Sequence, residues 1–351
     1  MEKGTGKTLI WVECMKVFAA FLIVMQHSIS YEWTRLITIN NIEWKFLNFV
    51  FMIARSGVPI FFMCSGIGML ARERNIKDIY QRSIWGIVKI YVSWMLIYGI
   101  YDAYILFCEN LATPKTIINA FIKDILFGRY HTWFVIALIG LYAITPFLYL
   151  ITRQINHIQY FLLLSIAFTI LFPYIERYDA LSRLSEVIRN ANMHFVVGYS
   201  LYFVIGYYLS KISITPKVKA LTIICLLLSI TAGFLLSCKN AMVQGSDCQV
   251  VYGEFSITGF ILNTSILLST RILFEERQLS DKAKSIIKNL SSYGIGVYML
   301  HPLFLFLVKE IQGIAVIFVA IILWIGMLCI MKLISFCPVL NTLLLQKRKG
   351  L

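Results

Sequence analysis

Charged residues are scarce in this chain of 351 residues: Asp, Glu, Lys and Arg make up 14% of it, whereas 59% is hydrophobic. A soluble domain carries about a quarter charged residues, so the composition argues against an ordinary soluble protein and predicts a polytopic membrane protein. The net charge of +14 would also fit a nucleic-acid partner. The basic residues are dispersed among short connections, however, as in the cytoplasmic loops of membrane proteins, so we predict no nucleic-acid binding.

Several chemical signatures are also missing. The five histidines lie on different segments, without the close His, Cys or carboxylate spacing of a zinc site, so no metal centre is predicted. No Gly-x-Ser-x-Gly elbow occurs, which argues against an α/β-hydrolase nucleophile. Most of the eight cysteines lie in apolar stretches and are expected to be buried thiols. Cys238 and Cys248 share one polar connection, whose spacing fits a disulfide and two free thiols equally.

What the chain has instead is a series of apolar stretches, ten of which have about the length that a bilayer requires. They predict an all-α protein with one transmembrane domain over 1–351, no soluble domain, and a basic cytoplasmic tail at 338–351. Ten spans put both termini on one side, and the excess of Lys and Arg predicts that this side is the cytoplasm. The approximate limits of the spans are 10–30, 46–70, 84–107, 132–152, 158–174, 195–212, 219–238, 253–274, 290–308 and 313–337.

The first span carries ionisable residues on one face. Lys16 and His27 are eleven positions apart, which on a helix is about 20° in azimuth and about 16 Å in depth. Glu13 lies one turn before Lys16. Ionisable groups within a membrane are costly and usually serve a pathway or a reaction, so His27 is our first candidate for chemistry. The alternative is a histidine at the interface that only caps the outer end of the helix.

A basic cluster follows the second span, and it contains Arg72, Arg74, Lys77, Arg82 and Lys89. Arg82 and Lys89 are seven positions apart and would share one face of an α-helix. Arginine binds phosphate through two parallel hydrogen bonds, so the cluster suits a polyanionic ligand. Ordinary cytoplasmic charge or contact with anionic lipids would explain it equally well.

Two further histidines lie near aromatic residues. His131 and Trp133 are at the start of the fourth span, where aromatic residues are expected at the membrane interface. Tyr298 and His301 are in the ninth span, and Pro302 should bend the chain directly after His301. Each histidine could contact a ligand or be a hydrogen-bonded residue of the core.

Together these segments resemble the integral-membrane acyltransferase-3 family, whose members O-acylate glycans of the cell envelope. The resemblance covers nearly the whole chain, and its five motifs occur in the family's order. Lys16 and His27 resemble the opening pair of a basic residue and a histidine, although the family usually has arginine at the position of Lys16. The other matching segments are Ile60-Phe61-Phe62-Met63-Cys64-Ser65-Gly66, the arginines 72, 74 and 82, His131-Thr132-Trp133-Phe134 with Tyr142-Ala143-Ile144-Thr145-Pro146, and Gly296-Val297-Tyr298-Met299-Leu300-His301-Pro302.

The resemblance implies a membrane O-acyltransferase that takes an acetyl group from acetyl-CoA and needs no metal. His27 would be a general base or a transient acyl carrier, assisted by Lys16 and Glu13. The acceptor would be an envelope glycan or a lipid-linked saccharide, and the protein would lie in the inner or plasma membrane, with its oligomeric state left open. The implied donor site contains Arg72, Arg74, Arg82, Lys89 and Ser65, and the implied acceptor site contains His131, Trp133, Tyr298 and His301.

Two other functions fit the composition. Ten spans with intramembrane charge would also suit a transporter, such as a flippase for a glycan precursor or a permease for a small solute. A structural subunit that binds lipid is the third alternative. Many transporters contain repeats with broken helices at corresponding positions, and no such correspondence is visible in this sequence.

Overall fold

The computed structural model describes residues 9–37, 41–175, 193–244, 249–275 and 277–345. The structure is 83% helical, and the described residues contain no β-strand. The all-α prediction is therefore confirmed. This outcome has a simple cause, because a helix satisfies the hydrogen bonds of its own backbone inside an apolar surrounding.

The described helices fall into two groups along the chain, one before and one after residues 176–192, which lie outside the described residues. The first half contains α1 (Ile10–Leu36), α2 (Ile42–Ala54), α3 (Gly57–Leu70), α4 (Ile76–Asp78), α5 (Trp85–Cys108), α6 (Pro114–Phe127), α7 (Trp133–Ala143), α8 (Thr145–Ile151), α9 (Ile155–Ile166) and α10 (Phe172–Ile175). The second half contains α11 (Tyr199–Lys211), α12 (Pro216–Gln244), α13 (Gln249–Tyr252), α14 (Ile257–Glu275), α15 (Asp281–Ser292), α16 (Gly294–Leu300), α17 (Ala315–Phe336) and α18 (Pro338–Leu344).

The number of membrane spans can be compared with the ten predicted. Among the described residues, eight helical stretches are long and apolar enough to cross a membrane, or nine if the bent pair α7–α8 is one span. The remaining predicted span, 195–212, coincides with α11, which has 13 residues and is mostly buried in the protein. Each of the ten predicted segments is thus largely helical, whereas the count of ten spans and the N-in, C-in orientation stay predictions.

Helix α1 lies at the centre of the helical assembly. It contacts α2, α3, α14, α15, α16 and α17, so its side chains reach several neighbours along 27 residues. Its first half belongs to a large buried cluster with α3, α5, α7 and α11, and its second half to a smaller cluster with α2. This position places both ionisable ends of the predicted face of α1 inside the protein.

Helices α3 and α11 approach each other closely at two glycines. A Cβ atom added to Gly66 would lie 1.8 Å from the carbonyl oxygen of Phe203, and one added to Gly206 would lie 2.5 Å from the Cα of Met63. No side chain fits at either position, so the close packing of α3 against α11 requires glycine at both. This contact holds the helix that carries Ser65 against α11.

We therefore expect Gly66→Ala to lower stability. Overpacking a close helix contact typically costs about 1–3 kcal/mol, and here the obstacle is backbone, which cannot move aside. Thermal unfolding of the purified protein in detergent should show a lower midpoint. Gly326→Ala is the matched control, because its added Cβ would meet nothing within 4 Å. Equal midpoints for the two variants would contradict the packing argument.

Prolines produce two of the breaks in the helices. Pro146 is the second residue of α8, which is bent by 59° relative to α7. Pro302 lies at the start of a 3₁₀ turn, His301–Leu307, that follows α16, so the α-helix ends at this point. The bend expected after His301 stays a prediction. In both cases proline fits the first turn of a helix but does not continue the preceding one.

Two predicted features fall partly outside the described residues. Of the predicted tail 338–351, the first part forms α18, and the indole N–H of Trp94 donates a hydrogen bond to the carbonyl of Leu344 at 3.3 Å. Residues 346–351 lie outside the described residues. Cys238, which was predicted in a polar connection, lies in α12 and is a buried free thiol, as in the second alternative. Cys248 lies outside the described residues.

Candidate functional site

Two predicted catalytic residues, Glu13 and Lys16, and two predicted donor-binding residues, Ser65 and Arg74, border a cavity of about 390 Å³, here named the lysine cavity. Lys16 and Glu13 of α1 lie on one wall, and Ser65 of α3 and Arg74 lie on others. Three cationic side chains thus share one cavity, because Lys288 of α15 also contributes. The remaining lining residues are Phe61, Cys64, Gly68, Met69, Phe134, Leu138, Tyr142, Ser291, Ser292, Ile295 and Tyr298.

Lys16 is held by Glu13 in this cavity. Its ammonium Nζ donates to Glu13 Oε1 at 2.9 Å, and the two residues are one helical turn apart. The second carboxylate oxygen of Glu13 accepts a hydrogen bond from the hydroxyl of Ser291. The carboxylate therefore fixes the position of the lysine and ties α1 to α15.

His27 borders a second cavity of about 190 Å³, here named the histidine cavity. His131 and Trp133 line it as well, as the sequence predicted for an acceptor site. In the described part of the chain, no hydrogen bond of the His27 ring to the protein is present. The other lining residues are Gln26, Arg55, Val58, Tyr130, Tyr199, Glu254 and Tyr298.

Three histidines from distant segments lie close together here, and two of them, His27 and His131, line the cavity. The ring centroid of His301 lies 5.1 Å from that of His27 and 5.8 Å from that of His131. His301 Nδ1 lies 2.5 Å from the carbonyl oxygen of Tyr298, and since a carbonyl only accepts, Nδ1 carries the hydrogen. Buried Nε2 of His301 has no partner within the described ranges. The hydrogen bond to Tyr298 fixes the His301 ring, whereas both ring nitrogens of His131 are buried without a partner among the described residues.

Tyr298 lines both cavities and packs beside two phenylalanines, Phe134 and Phe61, that line the lysine cavity. Its ring centroid lies 5.1 Å from that of Phe134, which in turn lies 5.7 Å from that of Phe61. The hydroxyl of Tyr298 donates to the backbone carbonyl of His131, which fixes the tyrosine against α7. We name Tyr298, Phe134 and Phe61 the aromatic partition, since Tyr298 is shared by the two cavities. The rise along α1 from Lys16 to His27 is about 16 Å.

The basic cluster is divided between different surroundings. Arg74 lines the lysine cavity, where its guanidinium also donates to the carbonyl of Gly68 at 3.0 Å. Arg72 lines a neighbouring cavity together with Arg74 and Tyr149. Arg82 is exposed and pairs with Asp78 at 3.2 Å.

Lys89 lies outside the lining of the lysine cavity. The shared face expected for Arg82 and Lys89 assumed an uninterrupted α-helix. A π-helical turn, Ile79–Ile84, contains Arg82 and precedes α5, so the ideal spacing does not apply to this pair.

Sequence reasoning missed several residues of the two cavities. No pattern in the sequence singled out Lys288, which lines the lysine cavity. Arg55 and Glu254 were assigned no role, although they form an ion pair of 2.5 Å that lines the histidine cavity. The available signal was their charge, since Arg55 lies inside the predicted span 46–70 and Glu254 lies at the start of the predicted span 253–274. Their separation of 199 positions hid the pairing.

The described residues contain no group of three or more His, Cys, Asp or Glu side chains that could hold a metal ion. His27, His131 and His301, whose rings lie close together, are candidates for proton transfer and hydrogen bonding. Imidazole suits this chemistry because its unperturbed pKa lies close to neutral pH.

Comparison with known proteins agrees with the motifs. The model of the acyltransferase-3 family, described as an acyltransferase domain, matches residues 9–339, which is almost the whole chain. No curated protein and no solved structure matched this chain. The matched region contains every residue of both cavities. The chain is therefore a multi-pass membrane protein that belongs to the acyltransferase-3 family.

Proposed function

We propose that this membrane acyltransferase transfers an acetyl group from cytoplasmic acetyl-CoA to a hydroxyl of an envelope glycan or of a lipid-linked saccharide in the cell membrane. The observation that carries the proposal is the meeting of two different cavities at Tyr298. The lysine cavity, lined by three cationic side chains, suits an anionic donor. The histidine cavity suits an acceptor whose proton must be removed.

The donor would bind with its phosphates at the lysine cavity. Arg74 and Lys16 would contact the anion there, and Lys288 would add a third cation. Arginine and lysine form short, charge-assisted hydrogen bonds with phosphate oxygens. The acyl end of the donor would then extend along α1 towards His27, past the aromatic partition. This route requires Phe61, Phe134 or Tyr298 to move when the donor binds.

The reaction would follow general base catalysis. An unprotonated ring nitrogen of His27 takes the proton of the acceptor hydroxyl, and the hydroxyl oxygen attacks the thioester carbonyl carbon. The carbon–sulfur bond breaks, and the departing thiolate takes the proton from the imidazolium to form CoA–SH. The products are an O-acetyl ester and CoA. The freedom of the His27 ring supports this role, because a base must contact its substrate directly.

Transfer of radiolabel tests the function. Membrane vesicles with the protein are incubated with acetyl-CoA carrying a labelled acetyl group, together with glycan prepared from cells that lack the gene. We expect alkali-labile label on the glycan only when the protein is present. Movement of glycan across the membrane without covalent label would favour the transporter alternative instead.

The donor site gives a separate prediction. Arg74→Ala should raise the KM for acetyl-CoA by about 10-fold or more, since a charged hydrogen bond contributes about 1.5–3 kcal/mol. Arg82→Ala should have a smaller effect, because Arg82 is exposed and lies outside the lysine cavity. Arg277→Ala, also an exposed cation outside that cavity, is the control. An equal KM for the Arg74 and Arg277 variants would remove Arg74 from the donor site.

A further inference from the structure

An ion pair that the proposed proton transfer does not use lies in the wall of the histidine cavity. Arg55 follows the last residue of α2, and Glu254 lies in the bend between α13 and α14. Arg55 Nη2 donates to Glu254 Oε2 at 2.5 Å, and Nη1 donates to Gln249 Oε1 at 3.1 Å. The hydroxyl of Tyr199 donates to Glu254 Oε1 at 3.2 Å. The pair thus has fixed geometry on three elements.

This pair is poorly explained by stability alone. Removing two charges from water is costly, and apolar residues of similar volume often serve equally well, so a buried ion pair is weak evidence for a structural role. Only 20% of the Arg55 side chain and 27% of the Glu254 side chain are exposed. Both side chains line the histidine cavity, so they present exposed surface to it.

Aromatic side chains lie beside the pair. The rings of Trp133 and Tyr199 are 5.2 Å apart and inclined by 30°, and Tyr130 lies 6.0 Å from the ring of His27. Trp and Tyr combine a broad apolar face with a polar end, which suits a ligand that has both C–H faces and hydroxyls. A sugar ring is such a ligand.

The charges of the cavity indicate which sugars would fit. Among the described residues that line it, Arg55 and Glu254 are the only groups with a full charge when the imidazoles are neutral, and they neutralise each other. An acidic sugar would meet a guanidinium that is already paired and a carboxylate that repels it. An uncharged sugar can accept a hydrogen bond from Arg55 and donate one to Glu254.

We infer that the Arg55–Glu254 pair recognises the acceptor saccharide and selects an uncharged sugar, whose hydroxyl it positions at His27. This inference rests on the proposed function and assigns to these two residues the specificity for the acceptor. Sites that hydrogen-bond substrate hydroxyls discriminate strongly, because a substrate that lacks the partner leaves buried polar groups unpaired.

Substitution of Glu254 tests the recognition role in the purified full-length protein, with labelled acetyl-CoA and glycan from cells that lack the gene. We expect Glu254→Gln to raise the KM for the glycan at least 10-fold and to change the KM for acetyl-CoA less than two-fold. Glu275→Gln is the matched control, because Glu275 also pairs with an arginine, Arg271 at 2.9 Å, outside the histidine cavity. An unchanged KM for the glycan in the Glu254 variant would overturn the inference.

The exchanged pair, Arg55→Glu with Glu254→Arg, separates recognition from structure. The double variant keeps the attraction between α2 and the α13–α14 bend. It exchanges the positions of the hydrogen-bond donor and the hydrogen-bond acceptor that the sugar would contact. We expect the double variant to elute from size-exclusion chromatography as a folded protein, and its KM for the glycan to stay above that of the wild-type protein. A wild-type KM in this double variant would show that the pair is only structural.

The wild-type protein tests the sugar class without any substitution. Maltotriose, which is uncharged, and trigalacturonic acid, which has three carboxylates, are added as competitors of the labelling reaction. We expect maltotriose to inhibit at a concentration at least 10-fold lower. Equal inhibition by both, including none by either, would overturn the selection of an uncharged sugar. A wild-type protein that transfers no label to any glycan would instead contradict the proposed function itself.

Discussion

His27→Ala should abolish most acyl transfer while the protein still inserts into the membrane and folds. Loss of a general base typically lowers the rate by about 10²–10⁴-fold. The imidazole of His27 lines the histidine cavity, and two further imidazoles are grouped around it. The measurement is kcat for transfer from labelled acetyl-CoA to glycan, with protein amount determined by size-exclusion chromatography in detergent.

The matched control for this variant is His157→Ala. His157 is an exposed residue of α9 outside both cavities, so its loss removes an imidazole without touching the candidate site. We expect it to transfer label at the wild-type rate. Near-normal kcat in a well-folded His27 variant would remove His27 from the reaction and leave His131 or His301 as the candidate base.

Lys16→Ala should also lose most activity, whereas Lys16→Arg should be tolerated. Removal of the ammonium leaves Glu13 with only the Ser291 hydroxyl, and it removes one cation from the lysine cavity. A charged hydrogen bond contributes about 1.5–3 kcal/mol, which corresponds to about a 10- to 100-fold loss in kcat/KM. Arginine keeps the charge, and the family usually has arginine at this position.

Lys284→Ala is the control for position 16. Lys284 forms an equally short pair with Asp281, at 2.9 Å and the same spacing of three residues, but the pair is exposed on α15. Exposed pairs contribute about 0–1 kcal/mol, so little change is expected. Full activity of Lys16→Ala would exclude a role for this lysine in donor binding or catalysis.

Several features of the site could be predicted because they depend on local periodicity. Lys16 and His27 lie on one helix, and the face they share follows from 3.6 residues per turn without any knowledge of the partners. The break at His301 follows from Pro302, which lacks the N–H that a continuing helix needs. Gly66 marks a close helix contact, although the sequence does not name Phe203 as the obstacle.

Other features were beyond sequence reasoning because they depend on packing. Arg74 and Arg82 belong to one basic segment, yet only Arg74 lines the lysine cavity. A π-helical turn after Asp78 changes the direction of the following side chains, and no residue pattern announced it. Helix α11 is another example, since the predicted span 195–212 forms a helix of only 13 residues that is mostly buried in the protein.

Composition and the length of the apolar stretches were sufficient to establish a helical membrane protein, and five ordered motifs were sufficient to indicate its family. Both inferences use local information: a helix satisfies its backbone within its own segment, and a motif keeps its order along the chain. The two cavities, the shared wall at Tyr298 and the pairing of Arg55 with Glu254 required the tertiary structure. Contacts between residues 199 positions apart arise only when distant helices pack, and that packing leaves no periodic trace in either segment.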